Sequence, residues 1–193
     1  MKKTINHLLA CYLLITASCS KQIDKPVVTA VEESPLAASH FIGEHFGGGI
    51  IFYINSDGKH GIIAAEEDIE EPSVWAYTDT VTGAIASKPG GGLKNTQRIF
   101  HVLGDPIGAP EDYAALECRE FSLNGFTDWF MPSKDELNEM YKQKEMIGGF
   151  KPFAYWSSTE VSASRAWFQN FGAGQQVKTQ KIYSYSIRPV RYF

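Results

Sequence analysis

The chain has 193 residues, with 18 Lys and Arg against 22 Asp and Glu and a formal net charge of −4. Such a mildly acidic balance excludes the clustered basic surface that nucleic-acid binding needs and offers no electrostatic hold on an anionic membrane. Its cysteines are Cys11, Cys19 and Cys118, too few for a disulfide framework, so 13% aromatic residues must supply the bulk of a packed core.

In chain order, Lys2 and Lys3 precede a short apolar run from Leu8 to Ala17, followed by Ser18 and Cys19. This order predicts a secretory signal peptide over residues 1–18, too short to span a membrane as a helix. The junction resembles the lipobox of bacterial lipoproteins, in which the cysteine after the cleavage point is diacylated. Thr16 stands where that motif usually has leucine, and Leu9-Ala10-Cys11 is a rival with too short an apolar run. The resemblance implies lipidation at Cys19 and a bacterial cell-envelope location, as an outer-membrane lipoprotein facing the periplasm or the exterior. Residues 19–46, with prolines, acidic residues and no sustained period, read as the lipidated N-terminus and a flexible tether. As a coil it would reach roughly 25–30 Å.

The remaining stretch, 47–193, reads as one domain. Ile50 to Ile54 and Gly61 to Ala65 flank a turn with Asp57-Gly58, predicting a hairpin covered on both faces. Residues 66–93 lack periodicity and read as a long loop anchored by Trp75. Asn95 to Leu103 predicts a short helix with Ile99, Val102 and Leu103 inward, and Glu111 to Leu123 a second, with Pro110 in its first turn. Ser133-Lys134-Asp135-Glu136 is a capping-box signature opening a third helix, with Leu137, Met140 and Tyr141 inward and Gly148-Gly149 stopping it. Four late strands follow, at Tyr155–Ser158, Ala166–Phe171, Gln175–Gln180 and Tyr183–Arg191, with Gly172-Ala173-Gly174 as a hairpin turn. An early hairpin, central helices and a late meander predict an α+β domain with a small antiparallel sheet, two to three helices and long irregular loops.

Several stretches carry a family resemblance. They are Gly48 to Tyr53, His60 to Ala65, Asn95-Thr96-Gln97, Gly125 to Leu137, Tyr155 to Glu160, Ala166 to Phe171 and Arg188 to Arg191. Together, over about residues 47–193, they resemble the family named for the C-terminal domain of the Legionella collagen-like protein. That family is similar to the C-type-lectin-like fold, whose relatives include glycan-binding lectins and formylglycine-generating enzymes. The resemblance implies that the first and last strands pair and bring the domain's ends together. Trp129, Trp156 and Trp167 are then expected as core or half-buried rings, Asp128 as a turn residue, and one of Arg188 and Arg191 as a partner of Glu160 or Asp135.

Chemistry tested against the residues is mostly rejected. The Glu-Pro-Asn or Gln-Pro-Asp and Trp-Asn-Asp signatures of calcium-dependent lectins are missing, so no cofactor or metal is assigned, although Asp128, Asp135 and Glu160 could supply oxygens to calcium. Cys118 lies on the Ala114, Cys118, Phe121 stripe of a helix and reads as a core residue. It cannot reproduce the cysteine pair of formylglycine-generating enzymes. Gly90 to Thr96 lacks the Lys-Thr adjacency of a phosphate loop. His40 and His45 fall in the expected tether, and His60 and His101 show no metal-ligand spacing. The expected function is therefore a non-catalytic, surface-anchored adhesion or binding module for glycan or surface-protein ligands, not an enzyme. Its ligand contacts are expected at Trp75, Asp128, Trp129, Ser157, Glu160 and Asn170. The alternatives are a structural subunit of an envelope or fimbria-like assembly and, further off, a formylglycine-generating-enzyme-like oxidase.

Overall fold

The computed structural model describes residues 39–105 and 112–193. The expected signal peptide, Cys19, most of the expected tether, Pro110 and Glu111 lie outside the described residues. Among those described, no helix is long and apolar enough to cross a membrane.

The hairpin forms where the Asp-Gly turn placed it. Strands β2 (Gly49–Ile54) and β3 (Gly61–Ala64) pair antiparallel, with Asn55 N donating to His60 O at 2.7 Å. Asp57 accepts from the Lys59 and His60 amides, and its hydrogen bond to His60 holds its carboxyl down to about 2. Both strands are buried along most of their length, which matches their continuous apolar run.

The chain upstream of the hairpin is packed as well, where the sequence suggested a tether up to residue 46. Strand β1 (His45–Phe46) pairs with β2, Gly43 N donates to Ile51 O, and Ile51 N donates to Glu44 O. On the other side of β2, β3 leaves no room for a side chain at Gly49, where a Cβ would run into the Ala64 carbonyl.

The irregular stretch after β3 contains β4 (Ser73–Val74) and leads into α1 (Gly92–Leu103). Helix α2 (Ala114–Glu120) is shorter than its apolar stripe suggested. A tight turn at Asn124-Gly125, both with positive φ, joins Leu123 to Phe126 by reciprocal backbone hydrogen bonds. Helix α3 (Lys134–Lys142) opens with the full capping box and breaks at Gln143, so the segment before Gly148 is a separate turn of helix, α4 (Lys144–Ile147). There are thus four helices among the described residues, where two to three were expected.

Strands β5 (Ala154–Glu160), β6 (Arg165–Asn170) and β7 (Gln176–Gln180) form an antiparallel meander. The final expected strand is two short ones, β8 (Ser184–Tyr185), pairing with β4, and β9 (Val190–Tyr192). The largest sheet runs in the order β1-β2-β3-β9. The last strand therefore pairs with the second strand of the hairpin rather than with the first strand of the domain. The two ends still meet: the rings of His40 and Phe46 lie 4.9 and 5.5 Å from that of Phe193. The described structure is α+β with three antiparallel sheets.

Candidate functional site

Among the described residues, a cleft of about 710 Å³ lies between α1, the stretch after the Asn124-Gly125 turn and β9. That volume falls in the ~300–1,000 Å³ range of small-molecule sites. Its position follows from local structure. The Asn124-Gly125 turn sends residues 127–130 alongside β9, and Phe130 and Val190 exchange both backbone hydrogen bonds, at 2.8 and 2.9 Å. Helix α1 runs past this pair, because the Thr96 hydroxyl donates to Gly92 O and accepts from Met131 N at 3.0 Å.

Leu93, Phe100, Trp129, Phe130 and Tyr192 give the cleft an apolar floor. Gln97, His101, Asp105, Arg119, Thr127 and Asp128 give it polar groups. The Arg119 guanidinium lies 3.6 Å from the centre of the Phe100 ring. Arg191 grips Asp128 with two hydrogen bonds of 2.7 and 2.9 Å, spans to Gly47 O and covers the Phe126 ring. That grip holds the Asp128 carboxyl below its ordinary value. The Tyr192 hydroxyl points to the buried Glu136, and burial together with that carboxyl raises its pKa.

Glu136 joins two helix N-termini. Beyond closing the cap of α3, it accepts from Gly90 N at 2.7 Å and from Gly92 N at the first residue of α1. A side chain at Gly92 would collide with this carboxylate and with Phe130. Burial raises the Glu136 carboxyl despite these donors.

The six residues nominated from the sequence fall in different places. Asp128 and Trp129 line the cleft, although Trp129 is buried and its ring N–H donates to Phe126 O. Trp75 was expected on a ligand-facing loop. It is instead fully buried, donating to Ser157 O at 2.9 Å, because its ring packs in the core cluster that holds Val74, Ile99 and Trp156. Ser157 is buried and donates to Trp167 O. Asn170 accepts from the Gly172 and Ala173 amides and shapes the β6–β7 turn.

Glu160 is buried in an ion pair with Lys181 at 2.6 Å and also accepts from the Thr82 and Gly83 amides. Burial alone would push its carboxyl up, but the bonds from Lys181, Thr82 and Gly83 outweigh it and hold it below the usual range. The partner expected for Glu160 among the arginines is thus a lysine. Arg188, fully buried, pairs with Asp68 at 2.7 Å and donates to Gly149 O. The three carboxylates considered for calcium are each held by a cation, since Asp135 sits by Lys134. Cys118 is fully buried, and burial keeps its thiol well above the ordinary value.

Gln97, His101, Arg119, Thr127 and Tyr192 are not among the ligand contacts expected from the sequence. Part of the signal was there: Leu93, Gln97, Phe100 and His101 recur at helical spacing on α1. Of the three residues expected inward, Ile99 is fully buried and Leu103 packs against the same core, while Val102 is 42% exposed.

The family described as the Lcl C-terminal domain matches residues 74–191, and it is the family that the sequence motifs resemble. Among solved structures, a fimbrial protein from Bacteroides ovatus is similar with a TM-score of 0.49 and 14% identity, over 74% of this chain. The similarity spans 43% of that protein's own chain. No curated protein matches.

Proposed function

Because the chain belongs to the Lcl C-terminal domain family, we propose that it is a surface module that binds a glycan or protein ligand in the α1–β9 cleft without catalysing a reaction. The observation that carries this reading is the cleft itself: an apolar floor of rings beneath polar side chains, at a volume suited to a ligand. Non-catalytic action is supported by the state of the reactive groups. Cys118 is sealed in the core as a thiol, while Glu160 and Asp128 are committed to cations.

The C-type-lectin-like assignment belongs to this proposal. It is supported by a sheet that joins the two ends of the domain and by the long segment between β3 and β9 that carries the other elements. The proposal also places the protein in the bacterial envelope, held by lipid at Cys19, in line with the basic and apolar order of residues 1–18. Metabolic labelling with an alkyne fatty acid tests this: the parent takes up label and Cys19→Ala does not.

The binding reading is tested with the full chain on a glycan array and a panel of surface proteins, beside Gln97→Trp, which fills the cleft mouth from an exposed position. Saturable binding lost in Gln97→Trp is expected. Binding retained in that variant would move the site elsewhere.

A further inference from the structure

We propose that the cleft takes an uncharged sugar of the hexose type, with the flat C–H face of a ring on the aromatic floor and its hydroxyls on the polar rim, without a metal ion. This deepens the binding reading above and rests on it. The argument begins with the polar groups that the fold leaves without partners. Among the described residues, the side chains of Gln97, His101, Asp105, Arg119 and Thr127 make no hydrogen bond or ion pair, and the Arg119 guanidinium lies over the Phe100 ring. Asp128, by contrast, is committed to Arg191, and Thr96 to the backbone of Gly92 and Met131.

This set decides between ligand classes. An apolar side chain from a protein partner would fit the floor but bury the rim, leaving up to five polar groups without water or partner, each at its desolvation cost. An anionic ligand would meet one free cation, Arg119, and also one free carboxylate, Asp105, so the rim has no net charge with which to prefer it. A sugar hydroxyl is both donor and acceptor. It can accept from Arg119 and donate to Asp105, while Gln97, His101 and Thr127 each offer either role. The C–H face of the ring then meets Leu93 and the Tyr192 ring, as apolar surface on apolar surface, beside the Phe100 ring that Arg119 covers.

The experiment is saturation-transfer NMR on the full chain with three neutral disaccharides: lactose, cellobiose and N,N′-diacetylchitobiose. N-acetyl-phenylalaninamide serves as an apolar peptide probe, and Gln97→Trp and Arg119→Met as exposed variants whose folding is checked by circular dichroism. The expected result is transfer to the ring C–H protons of at least one disaccharide, unchanged by EDTA and by about 0.5 M salt, which screens charge interactions. Affinity should fall about tenfold or more in each variant. Binding abolished by EDTA or by salt overturns the neutral, metal-free ligand. If no disaccharide binds but the peptide probe does, and Gln97→Trp removes it, the sugar is wrong and the cleft stands as the site. If neither binds, or binding is indifferent to both variants, the cleft reading falls with it.

Discussion

Lys181 is the only cation that faces Glu160 among the described residues, and both side chains are 2% exposed. Replacing it with methionine strands a carboxylate in the core, and the expected loss is about 3–5 kcal/mol in urea unfolding. The double variant with Glu160→Gln should recover part of that, because the Thr82 and Gly83 amides still find an acceptor. The same residues set the acid limb of stability. Glu160 and Asp128 have folded values below their ordinary ones. Their stabilisation is therefore full above the unfolded carboxylate range, near pH 4, and is lost as pH falls through the folded values. Glu136 runs the other way: its folded value is raised by burial, so its contribution is present at acid pH and declines as pH rises past the unfolded value. Accordingly, the stability of Glu136→Gln relative to the parent should improve between pH 4 and pH 7, measured by urea midpoints at each pH. Trp75→Phe gives a third test at this scale. Losing the bond to Ser157 O should destabilise by about 1–3 kcal/mol and leave ligand affinity at the cleft unchanged.

Among the elements, those with a strong local signal were legible and those assembled over distance were not. The capping box of α3 could be read from Ser133 and Glu136 because both of its bonds lie within one helical turn. Ser133→Ala should cost about 1 kcal/mol, read as a shift in the thermal midpoint. The β5–β6–β7 meander was similarly readable from alternating strands and the Gly172-Ala173-Gly174 turn. Strand β4 was hidden in a stretch without periodicity. Two residues carry no period, and Ser73-Val74 becomes a strand only because Tyr185 and Ser184 arrive more than a hundred residues later. Helix α1 was readable as a helix but not in its facing. It packs on two sides, with Ile99 toward the core and Leu93, Gln97 and Phe100 toward the cleft, so a single inward stripe was the wrong template. The candidate site was legible at Asp128 and Trp129, which sit in a dense local motif. It was not legible at Arg119 and Tyr192, which reach the same cleft from α2 and β9. Trp75 and Glu160 were misplaced for a common reason: aromatic and carboxylate side chains serve cores and surfaces alike, and only the partners decide. Those partners, Ser157 and Lys181, lie 82 and 21 residues away.

For the whole molecule, the junction of the two ends matters most. His40, Phe46 and Phe193 form a ring cluster, and Gly61 N and Phe193 N each donate to the other residue's carbonyl oxygen. Aromatic pairs of this kind contribute about 0.5–1.5 kcal/mol each. Phe193→Ala should lower the thermal midpoint and expose the 39–46 segment to protease, while leaving the cleft's ligand affinity intact.

The short β1 strand sets how the protein yields to mechanical tension. A pull on the N-terminal side of residue 45 acts on the His45–Ile50 and Phe46–Gly49 pairs, the backbone bonds of Gly43 and Glu44 to Ile51 and the ring contacts with Phe193, while the β2–β3–β9 ladder lies behind them. Peeling that strip frees the chain from residue 39 to 46, about 25 Å of extension at ~3.3 Å per residue. Peeling of β1 is therefore expected to precede loss of the β2–β3–β9 ladder, read in single-molecule pulling as a short first extension ahead of the main unfolding event.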